Sequence, residues 1–276
     1  MDYKIVACDL DGTLLNSKME VTKENIEAIK ALYNKGIVFV PCTGRTYAEI
    51  PEEIRELPGV RYFIHSGGAV VYDKETGDRI EMCMTKELAK KVLDKAYSYS
   101  TFTVMRYKGK SYVDKQTCSE ENYKAHRLSD NCRKFIFTTN NVIDSFKEFA
   151  YSLESVEATC TYFKYAQEQE EFRRYFEKSG LYQVVSSEPY NIECLDASSG
   201  KGVALLKLAE KLGFDKSQTI AVGDSKNDQN SIELAGLGLA MANATDELKK
   251  IADKVVCSND EHIAKYLLEN YVLNTL

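Results

Sequence analysis

A chain of 276 residues holds one large domain or two smaller ones, and its 44% apolar content is ordinary for a globular protein. Its net charge of -6 argues against nucleic acid as a partner, so an anionic substrate needs a local positive feature. No apolar run approaches the roughly 18 residues of a membrane span, and the N-terminus with Asp2 is unlike a secretory signal, so no membrane partner and a cytoplasmic location are expected.

"YKIVAC" is a short continuous apolar run, the pattern of a strand buried on both faces. "VTKENIEAIKALYNKG" reads as a helix. Thr22 caps it, Ile26, Ile29, Leu32 and Tyr33 form its apolar stripe, and Gly36 closes it in a left-handed conformation. "IVFVPC" is a second buried strand, "YAEIPEEIRELPG" a short helix between prolines, and "RYFIHSGGAVVYDKETGDRIEM" a strand followed by a hairpin. Strand, helix and strand in this order predict an α/β sheet.

From about Met84 to Pro189 the texture changes. "TKELAKKVLDKAYSYS", "VIDSFKEFAYSL" and "QEEFRRYFEKSG" read as helices. "TFTVMRYKGKSYVDKQ" reads as a hairpin through Lys108-Gly109-Lys110, and "RKFIFTTN" and "ESVEATCTYFKYA" as half-exposed strands. This mixture predicts an α+β insert over residues 84–189. Then "NIECLD", "SQTIAVG", "LGLAMA" and "KVVC" alternate with helices at "GKGVALLKLAEKLG", "NDQNSIELAG", "TDELKKIAD" and "DEHIAKYLLENYVL". The predicted architecture is one doubly wound, mainly parallel sheet built from residues 1–83 and 190–276. In such sheets ligands bind at the carboxyl ends of the strands.

The eight cysteines are scattered with no C-x-x-C, and several sit in apolar runs, so buried free thiols are expected. His65, His126 and His262 are too dispersed for a zinc site. The insert's tyrosines (Tyr107, Tyr112, Tyr123, Tyr162, Tyr165) suit packing against a sheet or stacking on a ring.

Four strand ends carry polar groups. Asp9 and Asp11 follow "KIVAC"; two hard carboxylates there suit magnesium, and a solvated Asp-Gly turn fits the same residues. "CTGR" (Cys42 to Arg45) offers the Thr43 hydroxyl, the Gly44 amide and the Arg45 guanidinium, or simply a turn. "SSGKG" (Ser198 to Gly202) places Lys201 at a helix N-terminus. Leu195 stands where a Walker A motif needs glycine, which excludes that nucleotide loop. "GDSKNDQN" puts Asp224 at a strand end, with Asn227 and Asp228 in the turn that follows. Each is ordinary alone. Together they make a set for divalent metal plus phosphate.

In that order "DLDGTLL", "CTGR", "SGKG" and "GDSKND" resemble the four motifs of the haloacid dehalogenase-like hydrolase superfamily. The stretch from Gly223 to Asp260 is similar to its Cof-type subfamily, and the insert resembles, by position and length, its α+β cap called type IIB. The resemblance implies a magnesium-dependent phosphatase acting on small-molecule phosphate esters, such as sugar phosphates, through an aspartyl-phosphate. It makes Asp9 the nucleophile and a metal ligand. Asp11 becomes the acid and base, its carbonyl also binding metal. Leu10, Thr43, Gly44 and Asn227 hold the phosphoryl oxygens, Lys201 neutralises charge, Asp224 completes the metal site, and Asp228 and Arg45 support it. A phosphomutase, or a phospho-ligand-binding regulator on the same scaffold, uses many of the same groups. Two positions depart from the subfamily: Ser66-Gly67-Gly68 replaces an Asn-Gly-Ala turn, and His262-Ile263 replaces an Asp-Gly pair. Oligomeric state is not legible.

Overall fold

The computed structural model describes residues 2–130, 132–134 and 141–273. The chain forms two compact units: residues 1–44, 50–80 and 200–276 make one, and residues 45–49 and 81–199 the other. The first segment runs through β1 (Ile5–Cys8), α1 (Lys23–Asn34), β2 (Val38–Pro41), α2 (Glu52–Arg55), β3 (Tyr62–His65), β4 (Val70–Asp73) and β5 (Arg79–Glu81). Thr22 caps α1, its side chain accepting from the Asn25 amide, and Gly36 follows the helix with φ of +76°. The apolar stripe differs from the expected one. Asn25, Ala28, Ile29 and Leu32 are buried, whereas Tyr33 is exposed and lies over Gly59. The buried face of α1 is centred on Asn25, Ala28 and Leu32, which leaves Tyr33 at its margin.

The second unit contains β6 (Met84–Thr85), α3 (Lys86–Ala96), β7 (Thr101–Tyr107), β8 (Lys110–Asp114), α4 (Glu120–Ala125), β9 (Asn141–Ile143), α5 (Phe146–Ser152), β10 (Ser155–Val156), β11 (Ala158–Phe163), α6 (Ala166–Ser179), β12 (Tyr182–Val185) and β13 (Asn191–Asp196). Its six-stranded sheet has the order β12-β13-β11-β7-β8-β9, and only β8 and β9 pair in parallel. Lys108 and Gly109 both have positive φ, as the two-residue hairpin turn between β7 and β8 requires. Alternation along the strands gives two apolar faces. Met105, Phe163, Ile192 and Cys194 pack with Phe146, Phe172 and Phe176 of the helices; Phe102, Val104, Val113 and Tyr162 pack with Tyr123. Tyr123 and Tyr162 are therefore packing residues, while Tyr165 is exposed. A buried polar cluster crosses the sheet. Arg106 donates to Glu193 at 2.6 Å, Ser187 donates to its other oxygen at 2.5 Å, and Asn191 donates to Ser187 at 2.9 Å.

Two expectations change here, and a third lies mainly outside the described residues. "NIECLD" reads in sequence as a strand of the parallel sheet, but β13 pairs antiparallel with β11 and β12, so the insert reaches Ser199 rather than Pro189. Its apolar pattern suits either sheet, and long-range pairing decides. Val142 and Ile143 lie in a strand rather than at the start of a helix. The strand expected at "RKFIFTTN" falls mainly outside the described residues.

The chain returns through α7 (Lys201–Leu212), β14 (Thr219–Gly223), α8 (Gln229–Leu234), β15 (Leu237–Ala240), α9 (Asp246–Ile251), β16 (Lys254–Val255) and α10 (Ile263–Leu267). The main sheet of the first unit has the order β16-β15-β14-β1-β2, every pair parallel. β1 and β14 are buried throughout, as expected for a parallel sheet covered on both faces. Cys8 pairs with Val222 on one side and Pro41 on the other. That register brings Asp9, Thr43 and Asp224 to one edge. β3 joins beyond β2 through a bridge between Ile64 and Cys42 and carries the antiparallel β3-β4-β5 sheet. No disulfide forms: Cys8, Cys42, Cys160 and Cys194 are buried free thiols. Among the described residues no helix is long and apolar enough to cross a membrane.

Candidate active site

Asp9 is the first residue beyond β1. Its amide continues the ladder to Val222 O at 3.0 Å, and Leu14 N–H returns to Asp9 O at 3.2 Å, closing a tight loop. The loop needs Gly12. Its φ is +76°, and a Cβ there would lie 2.4 Å from Asp224 Oδ2. Asp9 is buried, while Asp11 is exposed on the same loop. The two carboxylates that adjoin in sequence thus occupy different environments.

Lys201 is the first residue of α7 and is 2% exposed. Its Nζ donates to Asp9 Oδ1 at 2.6 Å and to Asp228 Oδ1 at 2.5 Å. Burial alone disfavours the ammonium, but the carboxylates of Asp228 and Asp9 outweigh it and hold the Lys201 pKa well above its ordinary value. Asn230 orients the start of α7 by accepting the Gly202 amide at 2.9 Å. On the other side the Ser66–Gly68 turn presses on the helix end. A Cβ on Gly68 would lie 2.2 Å from the Gly200 carbonyl carbon. Ser66 has φ of +50°, a conformation that asparagine tolerates better than serine.

Asp224 follows β14. Thr13 Oγ1 donates to its Oδ1 at 3.3 Å. Asp228 Oδ2 accepts from the amides of Asp224 and Ser225 at 3.1 and 3.0 Å. Carboxylate oxygens of Asp9, Asp224 and Asp228 lie within 4.8 Å of one another. Both oxygens of Asp228 are already engaged by Lys201 and the two amides, so its part is to organise the cluster. Among the described residues Asp9 Oδ2 accepts no hydrogen bond, and the Asp224 carboxylate receives only the long Thr13 contact. These two are the better metal donors. Burial raises the Asp9 carboxyl well above its usual range, with Asp228 adding and Lys201 opposing. Burial, then Asp228, push the Asp224 carboxyl up to about 7. Three carboxyl groups against one ammonium would be left with excess negative charge if all ionised, and hard oxygen donors fit a divalent cation of the magnesium type.

Thr43 is buried beyond β2, its amide bound to Ile64 O at 2.9 Å. Gly44 faces Asn227: a Cβ would stand 3.8 Å from Asn227 Nδ2. Asn227 Oδ1 accepts from Ser225 Oγ at 2.7 Å. Leu10 is wholly buried, within the same loop as Asp9. Arg45 belongs to the second unit, where its guanidinium donates to Glu49 O at 3.1 Å. The first unit therefore brings together Asp9, Lys201, Asp224 and Asp228, and places Gly44 beside Asn227. Sequence reasoning assigned nothing to Thr13, Asn230 or Asn243. Thr13 stands inside "DLDGTLL" and was the most readable of the three.

A sequence model of the family described as haloacid dehalogenase-like hydrolase matches residues 6–267. Phosphatase YwpJ of Bacillus subtilis is 29% identical, over 97% of this chain and 99% of the relative. The 5-amino-6-(5-phospho-D-ribitylamino)uracil phosphatase YwtE of the same organism is 33% identical, over 96% and 97%. Among solved structures, a haloacid dehalogenase-like hydrolase from B. subtilis superposes with a TM-score of 0.85 at 28% identity, covering 98% of this chain and all of that one.

Proposed function

The chain belongs to the haloacid dehalogenase-like hydrolase family, in its Cof-type branch, and is a phosphoric monoester hydrolase; on that premise we propose that it releases phosphate from small phosphorylated metabolites through an aspartyl-phosphate on Asp9. The observation that carries this reading is the Lys201 ammonium bridging Asp9 and Asp228 beside Asp224. A ribityl phosphate is the substrate class named for one relative, and sugar or polyol phosphates are the proposed class here.

Asp9 Oδ2 attacks phosphorus while the bond to the ester oxygen breaks. The Asp11 carboxyl gives its proton to that oxygen, so the alcohol leaves neutral. Asp11, now a carboxylate, takes a proton from water as the water oxygen attacks phosphorus. The bond from Asp9 to phosphorus breaks and inorganic phosphate leaves. Lys201 holds Oδ1 and balances the gathering negative charge, while the Gly44 amide, the Thr43 hydroxyl and Asn227 line the phosphoryl position. Magnesium, held by Asp9, Asp224 and the Asp11 carbonyl, would supply charge neutralisation and orientation of the phosphoryl oxygens. The second unit is proposed to act as the type IIB cap, with cytoplasmic action on a soluble substrate.

The test is phosphate release over a broad panel of phosphate esters with magnesium. Asp9→Asn should reduce turnover by about 10⁴-fold or more, as removal of a nucleophile does. Retained turnover in that variant defeats the assignment of Asp9. Release of an isomeric phosphate instead of inorganic phosphate would make the protein a mutase.

A further inference from the structure

The loop that carries Asp11 is held from outside by side chains that follow β15 and β16. Asn243 Nδ2 donates to Gly12 O at 2.8 Å. The Oδ1 of the same side chain accepts the Asn259 amide at 2.9 Å. Asn259 Nδ2 in turn donates to Leu15 O at 3.1 Å, and Asp260 Oδ1 accepts the Ser17 amide at 2.9 Å. The loop is thus fastened at Gly12, Leu15 and Ser17, and the tie nearest Asp11 is the one made by Asn243.

That tie falls on the residue next to Asp11. Gly12 has a left-handed φ, and the backbone at Asp11 and Gly12 helps to set where the exposed Asp11 carboxyl stands. Fixing the Gly12 carbonyl fixes the plane of the Gly12–Thr13 peptide. On the far side of that peptide the Thr13 hydroxyl is bound to Asp224. Proton transfer requires the acid within hydrogen-bond reach of the leaving oxygen, and small displacements at that distance cost large factors in rate.

We propose that Asn243 is a positioning residue for Asp11: by holding the Gly12 carbonyl it fixes the Asp11–Gly12 turn from which the acid protonates the leaving oxygen. The inference rests on the phosphatase reading, in which Asp11 is that acid. A tie that served stability alone would affect all substrates alike. A tie that serves the acid affects only esters whose leaving group needs a proton.

The experiment compares kcat/KM for two substrates. One is p-nitrophenyl phosphate, whose leaving group departs as a stabilised phenolate. The other is the alkyl phosphate that the wild-type protein turns over fastest in the panel. Asn243→Ala should lower kcat/KM on the alkyl ester by about 10- to 100-fold and leave the aryl ester within about threefold, a pattern that follows from weakening one general acid. Asn243→Ser, too short to reach Gly12, should repeat it. Asn243 is exposed, so both variants are expected to fold, and their Tm values are measured alongside. Asp11→Asn is the reference and should show the same selectivity more strongly. Equal losses on the two esters, or no loss on either, overturn the inference. A wild-type protein inactive on both esters, or an Asp11→Asn variant that does not discriminate between them, overturns the phosphatase reading instead.

Discussion

Two buried ionic clusters in this chain are built from similar parts and end in different states. In the second unit the Arg106 guanidinium meets one carboxylate, Glu193, whose other oxygen accepts from Ser187. In the first unit the single ammonium of Lys201 touches two carboxylates, and a third, Asp224, stands within 4.8 Å. The Arg106 cluster is matched in charge, one guanidinium to one carboxylate. The Lys201 cluster has more carboxyl groups than cations, and ionising all of them in a buried place is costly unless a further cation arrives. Burial works against ionisation of both Arg106 and Lys201, and in each the facing carboxylates outweigh it. The difference therefore lies in the count of carboxylates. A surplus of them at a strand end marks a site for a ligand, whereas a matched pair marks structure.

The contrast can be broken most sharply at Lys201. Lys201→Met leaves Asp9 and Asp228 buried without their cation, so a loss of about 3–5 kcal/mol in denaturant unfolding and the disappearance of phosphate release are expected. Adding Asp228→Asn, which removes a charge and keeps an acceptor for the Asp224 and Ser225 amides, should restore part of the stability and none of the activity. If activity returned with stability, the cluster would be only structural.

In the second unit the same chemistry should have the opposite resolution. Arg106→Met alone should cost about 3–5 kcal/mol, and the Arg106→Met, Glu193→Leu double variant should come back to within about 1 kcal/mol of wild type. A double variant as unstable as the single one would show that Ser187 and Asn191 depend on the charge of this pair.

The smallest effect concerns pH. The Asp224 carboxyl titrates at about 7 in the folded protein, whereas an unfolded aspartate titrates near 4. Between these values the folded state holds more protons than the unfolded one, so stability of the metal-free protein falls as pH rises through the interval. The raised Asp9 carboxyl acts in the same direction. A divalent cation favours the ionised carboxylates, so magnesium should raise Tm more at pH 8 than at pH 5. Equal shifts at both pH values would separate the metal from this cluster.

Much of the site was legible because a buried parallel strand announces itself and its end. "KIVAC", "IVFVP" and "TIAVG" are uninterrupted apolar runs, and the polar residues that stop them are Asp9, Thr43 and Asp224. Lys201 was legible as a lysine opening a helix after glycine. What pattern could not carry was pairing at long range. "NIECLD" has the same texture as a core strand, and only its partners β11 and β12 place it in the other sheet. Tyr33 fits the helical stripe by spacing, yet the face that α1 buries runs through Asn25, Ala28 and Leu32 and leaves Tyr33 exposed. Asn243 looks like one more loop asparagine, since the carbonyl it holds is 231 positions away.

Gly68 gives the site a historical dimension. Its backbone stands so close to that of Gly200 that a single added methyl group would displace the start of α7 and Lys201 with it. The contact joins two segments that lie on either side of the insert and involves no side chain. Sequence can therefore drift, lengthen or be exchanged between them without a compensating change at the lysine, provided these two positions keep nothing where other residues keep a side chain.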